Sequence, residues 1–188
     1  MNDENLQRAK EIFFRYSCNH SHLDWGNDVD EYNKFGISRE QENKWFLEYI
    51  SVWISKLSIH DLEAVHHLSH LHAEDSLPEL FRMSGLGDSF AKLSFANAIW
   101  KIANWRNTSP TMRDRAKQKA ITLWQSLLEN PIELTNDHRI EISKLLESWL
   151  SLRSKILHPS NIQQSTTPEE YILNSAKFGL EKAKKNDG

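Results

Sequence analysis

Four of the nine histidines, His66, His67, His70 and His72, fall within seven residues. On a helix, His66 and His70 share a face one turn apart. Two imidazoles at that spacing can ligate zinc or a similar metal. A catalytic helical zinc site also needs the general base of His-Glu-x-x-His, and here His66 is followed by His67. Glu63-Ala64-Val65-His66 matches the Glu-x-x-His of ferritin-like di-iron bundles, but those sites require a second copy with further inward carboxylates, and the chain has none. Half-exposed polar histidines on one side of a helix outweigh a metal site. A metal-dependent protein built on His66 and His70 stays as an alternative, and no cofactor is expected.

Other chemistry finds less support. Cys18 is the single cysteine, so no intramolecular disulfide can form, which suits a reducing compartment. Its neighbours Asn19 and His20 are residue types used by thiol enzymes, but adjacency in sequence does not create a nucleophile and base that meet in space, and a buried structural thiol is favoured. There is no Gly-rich phosphate loop, no Gly-x-Ser-x-Gly elbow and no defensible carboxylate pair. The expectation is a protein that is not an enzyme.

Two charged stretches are candidates for binding. Asp24, Asp28, Asp30 and Glu31 stand near Trp25, Tyr32 and Phe35, with no Lys or Arg between Arg15 and Lys34. Acids with aromatic anchors suit a basic protein surface. The other reading is a loop folded back by Trp25. The spacing lacks the terminal bidentate Glu of an EF-hand, so calcium is not indicated. Glu74 and Asp75 add an acidic corner. The opposite charge is concentrated in Lys101, Arg106, Arg113, Arg115, Lys117 and Lys119. With Trp105 to stack on a base, residues 101–119 are a candidate nucleic-acid surface, although a sequence pI near 6.3 favours a solvated helix face. Residues 1–100 carry nine Lys and Arg against sixteen Asp and Glu, a net of −7, and residues 101–188 fourteen against ten, a net of +4. Such asymmetry bears on association and steering.

The elements that must position these residues are helical. Leu6, Ala9, Ile12, Phe13 and Tyr16 predict a helix over about 4–18, and residues 19–36 predict a loop without sustained period. Ser38 with Gln41 forms a capping box opening a helix to about Leu57, with Trp45, Phe46, Tyr49, Ile50 and Trp53 inward. Residues 61–104 predict two short helices, a polar corner and a third helix. In the corner Ser76 is placed as cap, Glu79 as its capping-box partner and Pro78 in the first turn. Gly85 and Gly87 then break the chain, and Asp88 or Ser89 caps the next helix. Its apolar residues, from Phe90 to Ala103, surround most of the circumference, so it must be buried among neighbours. A helix follows from Pro110 to before Pro131, then one over about 136–157 stopped by Pro159, and a last one opened by Thr167-Pro168-Glu169-Glu170.

His70 to Ile102, with HLHAEDSLPELFR followed by GDSFAKLSFANAIWKIA, resembles a HEAT-like repeat, in which short antiparallel helix pairs stack. The resemblance covers roughly one repeat and half of the next, where such architectures normally need about three. It implies an all-α antiparallel helical stack of about seven to eight helices, as a short solenoid or a bundle. We expect one domain over 1–188: an N-terminal helix and acidic loop to 37, a repeat-like core over 38–157, and a cap helix and tail over 158–188.

The start MNDENLQRAK has neither a basic n-region nor an apolar h-region, and no apolar run is long enough to span a bilayer. The expectation is a soluble cytoplasmic protein. A small, partly acidic helical protein without catalytic motifs looks like a bacterial immunity protein, the dedicated inhibitor of a toxin domain, and such toxins are commonly basic nucleases. That resemblance implies Asp24, Trp25, Asp28, Asp30, Glu31, Glu74 and Asp75 as contacts that occlude a basic active site.

Overall fold

The computed structural model describes residues 3–153 and 165–186. The protein is all-α: among the described residues there are ten α-helices and one 3-10 turn, with no strand. No described helix is long and apolar enough to cross a membrane. The chain divides into two compact units, Met1–Lys56 and Leu57–Gly188. The boundary falls inside the stretch 38–157 grouped above as one core.

The first unit contains α1 (Asp3–Arg15), α2 (His20–Asp24), α3 (Val29–Lys34) and α4 (Arg39–Ser55). Its core gathers Ala9, Ile12 and Phe13 of α1 with Leu23, Tyr32 and Trp45. Full burial of a side chain such as Ile12 or Leu23 contributes about 1.5–3 kcal/mol. The first helix ends three residues earlier than its periodicity predicts. Ser17 and Cys18 both take φ of +54°, a left-handed turn in which the Cys18 N–H donates to Phe13 O at 2.9 Å. Residues 19–36 are not a loop throughout, since α2 and α3 occupy much of them. Helices of five and six residues are too short to show a period. Asn19 caps α2 by accepting from Ser21 N at 2.9 Å, and Ser38 caps α4 by accepting from Gln41 N at 3.2 Å.

The second unit contains α5 (Glu63–His70), the 3-10 turn Glu74–Ser76, α6 (Leu77–Met83), α7 (Ser89–Ala103), α8 (Pro110–Glu129), α9 (Asn136–Arg153) and α10 (Pro168–Asn186). Helix α7 is its centre: α5, α6, α8 and α10 all pack on it, and α10 also packs on α8 and α9. As its composition requires, α7 is buried on almost every side, including all of Phe90, Leu93, Phe95, Ile99, Trp100 and Ile102. Leu57, placed by sequence at the end of α4, packs on this second core instead.

The caps divide into those the sequence locates and one it misplaces. Asp88 caps α7, accepting from Phe90 N at 3.1 Å and Ala91 N at 3.0 Å. Thr167 and Glu170 form a reciprocal capping box at α10, Glu170 N donating to Thr167 Oγ1 and Thr167 N to Glu170 Oε2. Ser76 does not cap α6. It is fully buried, its hydroxyl donates back to Ala73 O at 2.6 Å, and Glu79 pairs with Arg82. Along α9, Ile142 and Leu146 are buried and Leu145 is partly exposed. Ile156, Leu157 and Pro159 lie outside the described residues.

Candidate functional site

The acidic segment of the first unit is built by α1 from one side. Arg8 and Arg15 lie seven residues apart, two helical turns, and so share a face. Arg8 donates to both carboxylate oxygens of Glu31, at 2.8 and 3.1 Å, and Arg15 donates to Asp28 Oδ2 at 2.6 Å. The Tyr16 hydroxyl also donates to Asp28, at 3.2 Å. The hydrogen bond and charge of Arg8 hold the Glu31 carboxyl below the usual carboxylate range. Two of the four acids are thus neutralised internally, by cations that precede the acidic run in sequence. The signal was present in the i, i+7 spacing of the two arginines, but their partners are not local.

Asp24 and Asp30 remain exposed and make no ion pair among the described residues. Between them stands Trp25, which is 91% exposed, so it does not fold back onto its unit. Leu23 and Tyr32 take that anchoring role. Tyr32 stacks on Phe13 with centroids 5.9 Å apart, and its hydroxyl donates to Glu42 at 2.7 Å. The backbone turns tightly beside the tryptophan. The Gly26 N–H donates to Leu23 O at 2.8 Å, and a Cβ on Gly26 would fall 2.3 Å from the Tyr16 ring. Trp25 is an exposed indole next to a hydrogen-bonded turn, with the exposed Asp24 adjacent in sequence and the exposed Asp30 five residues on.

Cys18 borders the same core. Burial pushes its thiol up to about 12, with Glu48 adding to the effect. That is the wrong direction for a nucleophile, whose thiolate must form near neutral pH.

In the second unit, Glu74 and Asp75 part company. Asp75 is exposed. Glu74 accepts from both the backbone N–H of Ser109, at 3.0 Å, and its hydroxyl. Ser109 is the residue before α8, so the corner carboxylate caps that helix from 35 positions away.

Of the clustered histidines, His70 Nδ1 lies 3.0 Å from the ammonium of Lys101, and His72, with φ of +52°, stacks flat on Trp105 at 4.0 Å. Among the described residues, no three His, Cys, Asp or Glu side chains gather in a way that could hold a metal ion. The basic run is largely occupied by its own surroundings. Arg113 donates to Thr108 O at 2.9 Å, Arg115 lies over Phe81, Lys117 over Trp100 and Arg106 over Trp105. Trp105 is therefore committed to His72 on one face.

No protein-family model, curated protein or solved structure matches the chain.

Proposed function

We propose that the protein is a non-enzymatic binding module whose first unit grips a basic protein partner through Trp25, Asp24 and Asp30. The observation that carries this reading is Trp25, an indole 91% exposed in a segment where Asp24 and Asp30 are also exposed and make no ion pair among the described residues. Large aromatics in such positions supply most of the energy of many interfaces, and the acids around them provide steering and specificity. Asp28 and Glu31 then serve to shape the surface through Arg15 and Arg8 rather than to meet the partner. The resemblance to immunity proteins makes a basic toxin domain the partner of choice, with the inhibitor covering its active site.

The test is affinity for a partner captured with the intact protein from its native host. Trp25→Ala is expected to weaken binding by about a hundredfold, as loss of a hot spot does. Asp24→Asn with Asp30→Asn should reduce both the association rate and its dependence on salt. Melting temperatures should stay unchanged, since these side chains contact no core. A captured partner that is acidic, or one held equally well by Trp25→Ala, would refute the reading.

A further inference from the structure

The second unit contains a cavity of about 440 Å³ between α7, α8 and α10. Its size lies in the lower part of the range of about 300–1,000 Å³ typical of small-molecule sites. Four aromatic residues, Trp100, Trp124, Tyr171 and Phe178, form much of its wall. Trp100 and Trp124 meet at a tilt with centroids 5.3 Å apart, and the Trp124 N–H donates to Asn97 Oδ1 at 3.2 Å. Phe178 is 50% exposed and forms the open side of the group.

The polar groups of this cavity are biased in one direction. Lys101, whose ammonium lies 3.0 Å from His70 Nδ1, and Lys182 line it, and among the described residues no Asp or Glu does. Burial lowers the pKa of the Lys101 ammonium, so a counter-charge beside it would be favourable. Trp100 is 6% exposed and its indole N–H has no acceptor among the described residues. Aromatic walls and two cations are the complement of a flat apolar body that bears a negative group.

We propose that this cavity binds a small planar aromatic anion, its ring held among Trp100, Trp124, Tyr171 and Phe178 and its charge met by Lys101 and Lys182. The site shares no residue with the acidic segment of the first unit, so either reading can fail without the other.

The experiment titrates the intact protein with 2-naphthoate, and in parallel with neutral 2-naphthamide and with the non-planar anion cyclohexanecarboxylate. Binding is followed by calorimetry and by the indole N–H resonances, that of Trp100 being assigned through Trp100→Phe. The expected result is saturable one-to-one binding of naphthoate, about tenfold or more tighter than either comparison compound, with the Trp100 resonance shifting. Lys101→Gln with Lys182→Gln should weaken naphthoate about tenfold and leave naphthamide unchanged. Ser175→Phe, which fills the cavity, should abolish binding; if that variant does not fold, the lysine pair still decides. Absence of saturable binding, equal affinity for naphthamide, or full retention by the lysine variant would overturn the proposal.

Discussion

Asp88 joins the starts of two helices through one side chain. It accepts from Phe90 N and Ala91 N at the head of α7 and from Thr135 N, at 2.8 Å, just before α9. His138 Nδ1 lies 2.8 Å from the same Oδ2, and both side chains are almost fully enclosed. Burial alone would raise the Asp88 carboxyl, but the hydrogen bonds from Ala91 and Thr135, together with His138, outweigh it and hold the group below the usual carboxylate range. Because the folded-state value lies below that of the unfolded chain, near 3.9, its stabilisation is complete above about pH 4 and is lost as pH falls through the folded value. Asp88→Asn keeps a cap for α7 but turns an amide donor toward the Thr135 N–H, and is expected to lower stability at pH 7 by about 1–3 kcal/mol. It should also flatten the acid limb of the urea midpoint against pH, relative to the wild type. Parallel acid limbs would contradict this. The cap at Asp88 was legible in the sequence, since Gly-Asp before an apolar helix is a local signal. The link to Thr135 and His138 was not, because it spans some fifty residues and depends on packing.

At the scale of elements, α8 and α10 approach at a glycine. Gly179 is buried, and a Cβ there would fall 2.5 Å from the Trp124 ring. That ring is 1% exposed, and its hydrogen bond to Asn97 holds it against the glycine. Gly179→Ala should destabilise by about 1–3 kcal/mol through overpacking, even though alanine favours an isolated helix by about 1 kcal/mol. Gly85, between α6 and α7, has open space around its would-be Cβ and no left-handed φ. Gly85→Ala should be neutral or stabilise by about 0.4–1 kcal/mol. Chemical denaturation of the two variants measures the contrast, and a loss of equal size in both would refute it. The long helices could be read from periodicity because each has an apolar stripe sustained over several turns. The short ones, α2 and α3, could not, and a serine at the corner looked like a cap while its hydroxyl was needed inside for Ala73.

For the whole molecule, each unit has its own core, one around Phe13 and Trp45 and the other around α7. The first carries seven Lys and Arg against ten Asp and Glu, a net of −3, while the second carries sixteen of each and is neutral. The acidic front seen along the sequence therefore belongs partly to each unit, its excess in residues 57–100 being balanced by the basic stretch that follows. A fragment comprising 57–188 is expected to fold alone, with a cooperative melt and the helical circular dichroism of its own elements. A fragment without a cooperative transition would show that its core is incomplete. Of the candidate site, the residue types were legible but their availability was not: Asp28, Glu31 and Glu74 are consumed by Arg15, Arg8 and Ser109, and only coordinates reveal such pairings. Trp25 has one more consequence. Trp45, Trp100 and Trp124 are enclosed, whereas Trp25 stands in solvent. Trp105 is 37% exposed, so among the described tryptophans the emission of Trp25 will be the most red-shifted and the first that acrylamide quenches, and the protein carries an optical reporter at its own proposed contact surface.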